Sequence, residues 1–231
     1  MQELLSLYYQ CCYQGHWREL NEVLKYSLTR PSQQTLLQKC VKGGHQYCIA
    51  NASISQAVIN LQNAGILTKK YADFEALYDD VRKIIGNISG IGDLTIYDTA
   101  LRIGFIMFPI VLPQNYVYLA RGAMRGAKKI LGTNKLKYRE QASVFSPYFG
   151  NLSSHFVEDF LCIMEDFLCK GGVVAGKPLP PAICQCNCAT ELRGQQPVSS
   201  SQNCSCFCSR LSNEKGEYKE EYIDNGEQIN N

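Results

Sequence analysis

A chain of 231 residues has room for one domain of about 150 to 200 residues plus an appended tail. Its hydrophobic share of 45% allows a real core, and a formal charge of +2 singles out no class of partner. No stretch reaches the roughly 18 to 20 apolar residues of a membrane helix. The longest run, Phe105 to Leu112, is interrupted by Pro109, and Met1-Gln2-Glu3-Leu4-Leu5 lacks the basic region and apolar core of a secretory signal, so the expectation is a cytoplasmic protein with no membrane span.

In chain order, Trp17, Leu20, Leu24 and Leu28, with Val23 beside them, have helical spacing. Ile54, Ala57, Val58 and Leu61 repeat it and stop at Gly65. Phe74, Leu77, Tyr78, Val81, Ile84 and Ile85 follow it more strictly, with Asp73 placed to cap the N-terminus and Gly86 past the end. Ala120, Ala123, Met124, Ala127, Ile130 and Leu131 make a further inner face, closed by Gly132. Gly122 and Gly126 on that helix permit close packing against a neighbour. Phe156, Val157, Phe160, Leu161, Met164, Phe167 and Leu168 form the strongest stripe, opened by Ser153-Ser154 and closed by Gly171-Gly172. No alternating strand stands out, so residues 1–172 read as an all-α multi-helix domain.

From 173 to 231 the character changes. Pro178, Pro180 and Pro181, a Ser199-Ser200-Ser201 run and an acidic end, with six acids against two bases between Glu214 and Glu227, cannot fill a core. This segment reads as an irregular, cysteine-rich tail.

Between the helix ending near Ile85 and the spacing that restarts at Ile96 lies Ser89-Gly90-Ile91-Gly92. Two short helices joined by such a turn form a helix-hairpin-helix, a module that grips nucleic-acid backbone. Glycines permit positive φ and close approach of a phosphate, and the amides at the start of the second helix, here Asp93-Leu94-Thr95, point at the anion. Ser89, Gly90, Ile91, Gly92 and Thr95 are therefore candidate DNA-contacting residues, and the turn is a candidate seat for a monovalent cation. Farther on, Arg121, Arg125, Lys128 and Lys129 fall at i, i+4, i+7 and i+8 on one helix face. No acid occurs between Asp98 and Glu140, whereas eight bases do, counting Arg102, Lys135, Lys137 and Arg139. A basic face of this kind suits phosphate neutralisation.

The segment Ile88-Ser89-Gly90-Ile91-Gly92-Asp93-Leu94-Thr95-Ile96-Tyr97-Asp98-Thr99-Ala100-Leu101-Arg102-Ile103-Gly104 resembles the signature of an uncharacterised, mainly bacterial family of helix-hairpin-helix proteins. Val117-Tyr118-Leu119, Gly126-Ala127 and Val157-Glu158-Asp159-Phe160-Leu161-Cys162-Ile163 echo it, so the resemblance covers about residues 45 to 165. It implies fold more than activity. Where that family carries a histidine and a threonine, this chain has Ala120, Gly122 and Ala123. A wider resemblance is to the helix-hairpin-helix DNA glycosylases of base excision repair. Their bifunctional members place a Schiff-base lysine where this chain has Asp93, Leu94 and Thr95. Their essential aspartate follows the hairpin by about twenty residues, where this chain runs Leu112 to Tyr118 without an acid. Catalysis by the usual glycosylase residues is excluded.

Other acids are open to structural readings: Asp98 as a partner of a tyrosine or Arg102, and Glu158 and Asp159 as first-turn complements of a helix dipole. His16, His45 and His155 are scattered; spacing alone brings none together, although His45 and His155 are free to meet in space. Of twelve cysteines, Cys11, Cys12, Cys40, Cys48, Cys162 and Cys169 lie in the helical part, where reduced buried thiols are ordinary. Cys184, Cys186, Cys188, Cys204, Cys206 and Cys208 form two alternate-residue triplets in the tail, a candidate zinc or soft-metal set that departs from the usual paired spacing. The reading is non-catalytic, largely sequence-independent DNA binding. A DNA-processing enzyme with other catalytic residues and a protein-interaction module are the alternatives.

Overall fold

The computed structural model describes residues 1–9, 12, 14–43 and 49–177. The tail cysteines from Cys184 to Cys208, and His45, lie outside the described residues. The fold is mainly helical, with nine α-helices among the described residues: α1 (Gln2–Tyr8), α2 (Gln14–Leu28), α3 (Gln33–Val41), α4 (Asn51–Asn63), α5 (Phe74–Ile85), α6 (Asp93–Ile106), α7 (Arg121–Leu131), α8 (Ser146–Phe149) and α9 (Ser154–Ile163). Among these residues no helix is long and apolar enough to cross a membrane.

The helix ends follow local chemistry. Asp73 accepts the Ala76 N–H at 2.8 Å, capping α5 as its spacing predicts. Gly132 takes a left-handed φ of +63° to end α7. The last stripe departs from expectation. α9 stops at Ile163 rather than continuing to Leu168, and a 3-10 turn over Glu165–Phe167 follows. The apolar residues beyond the break are still used, because Met164 and Leu168 are buried in the same core.

Short strands are the second departure. β1 (Tyr116–Tyr118) pairs antiparallel with β2 (Arg139–Gln141), and β3 (Leu168–Cys169) with β4 (Gly172–Val173). Ribbons of two or three residues are too short to leave an alternation legible in sequence. β1 nevertheless has a definite job. Successive side chains of a strand point to opposite faces, and here Val117 enters one apolar cluster while Tyr118 enters another.

Those two clusters are the core. One is built from α2 to α6 around Leu37, Leu61, Leu77, Tyr78, Tyr97 and Ile103. The other joins α1, α7, α8 and α9 through Leu4, Tyr8, Ala127, Phe149 and Phe160. α7 lies directly on α9: a Cβ on Gly126 would run into the Leu161 carbonyl oxygen, and one on Gly122 would come within 2.5 Å of Cys162 Sγ. The close packing expected of these two glycines is what the helices use.

Candidate nucleic-acid interface

α5 and α6 pack against each other and are joined by residues 86–92. α5 buries Phe74, Leu77, Tyr78, Val81 and Ile85, a single stripe, and leaves Arg82 and Lys83 exposed. α6 is enclosed on all sides from Thr95 to Phe105. Its polar residues are therefore committed inward. Arg102, 3% exposed, donates to Glu19 at 2.5 Å and to the Cys40 carbonyl at 3.0 Å, with Asp98 at 3.9 Å. Burial pushes the Cys40 thiol up to about 12, although Arg102 pulls the other way.

The turn itself is exposed at Ser89, Gly90 and Gly92 and anchored by Ile91, which is buried. Gly90 has φ +80°, the conformation that requires glycine. Gly92 does not share it: its φ is −95° and a Cβ there would meet nothing within 4 Å. Gly92 is the N-cap of α6 and offers no side-chain cap, so the amides that open the helix take no bond from their cap residue, and Asp93, the first helical residue, lies 3.5 Å from Arg82. Ile96 N–H closes the first helical bond, onto the Gly92 carbonyl.

α4 braces this edge. Ser53 Oγ donates to the Ser89 carbonyl at 2.7 Å, and Asn60 Nδ2 reaches the Ile84 carbonyl at 3.4 Å. The N-terminus of α4, whose N-cap Ala50 makes no side-chain cap bond, therefore opens beside that of α6. Lys42 lies at the same end, its Nζ 3.5 Å from Asn51 Oδ1. These α4 contributions were not legible in sequence, since Ser53 and Lys42 carry no motif and become neighbours of the turn only through folding.

The remaining candidates land elsewhere. Thr95 is buried, its side chain turned away from the surface. Arg121 is exposed, while Arg125, Lys128 and Lys129 are half-buried. α7 sits on the α9 cluster, whereas the 86–92 turn belongs to the α2–α6 cluster. Arg125 and Lys129 have acids as partners. Arg125 Nε donates to both Glu165 oxygens at 2.9 and 2.8 Å, and Lys129 Nζ lies 3.3 Å from Glu165 and 3.7 Å from Asp166. These acids come from the 3-10 turn where α9 breaks. Arg139, counted in the basic window, pairs with Asp79 and stacks over the Tyr78 and Tyr118 rings.

The acids considered as catalytic substitutes are interior. Asp98 faces Arg102, and Glu158 and Asp159 lie in the second turn of α9, buried, rather than in its first. Asp159 accepts the Tyr8 hydroxyl at 2.7 Å and lies 3.7 Å from His16 Nδ1. His155 has His16 as a neighbour, with Nε2 of His16 3.1 Å from its Nδ1. Burial, reinforced by His16, holds His155 down to about 3. Among the described residues no group of three or more His, Cys, Asp or Glu side chains is arranged to hold a metal. Cys40 and Cys169 are free thiols. In comparisons with known proteins, no family model, no curated protein and no solved structure matches this chain.

Proposed function

We propose that this is a non-catalytic, cytoplasmic DNA-binding protein of helix-hairpin-helix type that grips duplex backbone without sequence preference. The observation that carries the reading is the exposed turn between α5 and α6. Gly90 is left-handed there, Ile91 is pinned in the core, and α6 begins at Gly92 with no side-chain cap and open space where a Cβ would stand. A phosphate fits such an end because the amides donate and the helix dipole attracts it. The parallel opening of α4, with Lys42 and the exposed Lys83, adds positive potential at the same edge. The α7 cations Arg121, Arg125, Lys128 and Lys129 are secondary contributors in this reading. Arg125 and Lys129 would first have to leave Glu165.

The test is binding of a fluorescent duplex to the full chain. Affinity should fall steeply as salt rises from about 50 to about 200 mM, as counterion release requires. Gly92→Asp is the informative variant. An aspartate at an N-cap stabilises a helix and meets no steric obstacle here, yet it places a carboxylate where the phosphate would sit. We expect binding to drop at least about tenfold, one pairwise contact's worth, with the melting temperature unchanged or raised. No binding at low salt, or unaltered binding by Gly92→Asp, sinks the reading.

A further inference from the structure

The side chains joining the N-terminal helices to α9 form a continuous buried series. Tyr8 donates to one oxygen of Asp159, the other oxygen lies beside His16 Nδ1, and His16 Nε2 meets His155 Nδ1 at 3.1 Å. The two imidazoles are stacked, with centroids 5.3 Å apart and planes 26° from parallel. Phe156 and Trp17 close around them, the Trp17 ring 6.2 Å from that of His155. α1 and the start of α2 are thus fixed to α9 through groups whose bonding depends on their protons.

A hydrogen bond between two imidazoles needs one N–H and one lone pair. The pair therefore holds together with one and only one of the two facing nitrogens protonated. A single added proton has Asp159 nearby to balance it on the His16 side. A second proton sets two N–H groups and two like charges face to face in a buried site, which is unfavourable on both counts. The sign follows directly. Released from the site, His155 takes up a proton near its ordinary 6.5, whereas docked it resists down to about 3. Docking is at full strength above pH 6.5 and weakens as pH falls through that window.

We propose that the His16–His155 pair is an acid-released latch that holds α1 and the first turn of α2 against α9. Among the described residues, the titratable groups facing it are Asp159 from α9 and, through Asp159, Tyr8 from α1; Glu158, also buried in α9, acts on Tyr97 and Tyr138 instead. Glu19, one turn farther along α2, is committed to Arg102 of α6 and keeps the rest of α2 in place. Opening uncovers Leu4, Leu7 and Tyr8 together with the aromatic face of Phe149 and Phe160 that they cover.

Hydrogen exchange on the full chain reads this directly, with Trp17, the chain's one tryptophan, as an optical reporter. After correction for intrinsic rates, opening of the 2–8 amides should increase about thirtyfold from pH 8 to pH 5, since one refused proton shifts an equilibrium by up to about tenfold per pH unit below 6.5. Trp17 emission should change along the same curve while the α4 amides stay protected. His155→Asn retains an acceptor near the Nδ1 position and cannot ionise, so it should remove the acid response. An α1 exchange rate that stays flat over this range overturns the proposal, as does a folded His155→Asn chain that keeps the acid transition. Should that variant not fold, imidazole NMR of the unaltered chain decides: His155 protonating near its ordinary value with α1 still protected overturns the latch, and His155 neutral until α1 opens supports it.

Discussion

The Tyr118 hydroxyl is buried without a hydrogen-bond partner among the described residues, and so is that of Tyr97. Burial raises the pKa of both phenols, so each stays neutral and its O–H remains a buried donor. A buried polar atom left unmade costs its desolvation without return, whereas a hydrogen bond to a charged acceptor is among the stronger ones. The same substitution therefore has opposite effects at two sites. Tyr118→Phe keeps the ring that stacks on Tyr97 and carries Arg139 and should raise unfolding stability by about 1 kcal/mol. Tyr8→Phe removes the bond to Asp159 and should lower stability by about 1.5 to 3 kcal/mol. Urea midpoints for the two variants check the pair. Stabilisation by Tyr8→Phe would mean that Asp159 does not depend on that hydroxyl.

At the level of elements, α7 and α9 give the sharpest test of packing. The Gly126 backbone touches that of Leu161 with no space for a methyl group. Overpacking such a contact costs typically 1 to 3 kcal/mol, so Gly126→Ala should lower the melting temperature by several degrees despite the better helix propensity of alanine. An alanine at exposed Gly92 should show no such loss. These contacts also show what sequence can carry. The Gly122 and Gly126 positions, the Asp73 cap, and the stripes of α4, α5 and α7 follow from local spacing and were legible. The end of α9 was not, because Phe167 and Leu168 keep an apolar rhythm across a chain that has already turned. The candidate site was legible only in part. Local chemistry marks the Gly90 turn, but whether a cation is free depends on acids distant in sequence. Glu165 lies 40 residues from Arg125 and Glu19 lies 83 from Arg102. The His16–His155 contact, at a separation of 139 residues, leaves no periodic trace at all.

Across the whole molecule, Trp17 links the two apolar clusters. Its ring packs on Phe105 of the α2–α6 cluster at 5.6 Å and on Phe156 of the α9 cluster at 5.5 Å. β1 makes the other junction, with Val117 and Tyr118 on opposite sides. Domains of this size unfold as a unit when such junctions are strong. In the unaltered chain, amides at Leu61 and at Phe160 should therefore exchange with the same opening free energy. Trp17→Ala removes one junction and about 3 to 5 kcal/mol of packing. The loss should fall unequally, because α6, buried on every side, belongs to the first cluster and continues to close it. Protection at Phe160 should drop more than at Leu61, and thermal unfolding should broaden. An equal loss at both amides would show that β1 alone is enough to couple the two halves.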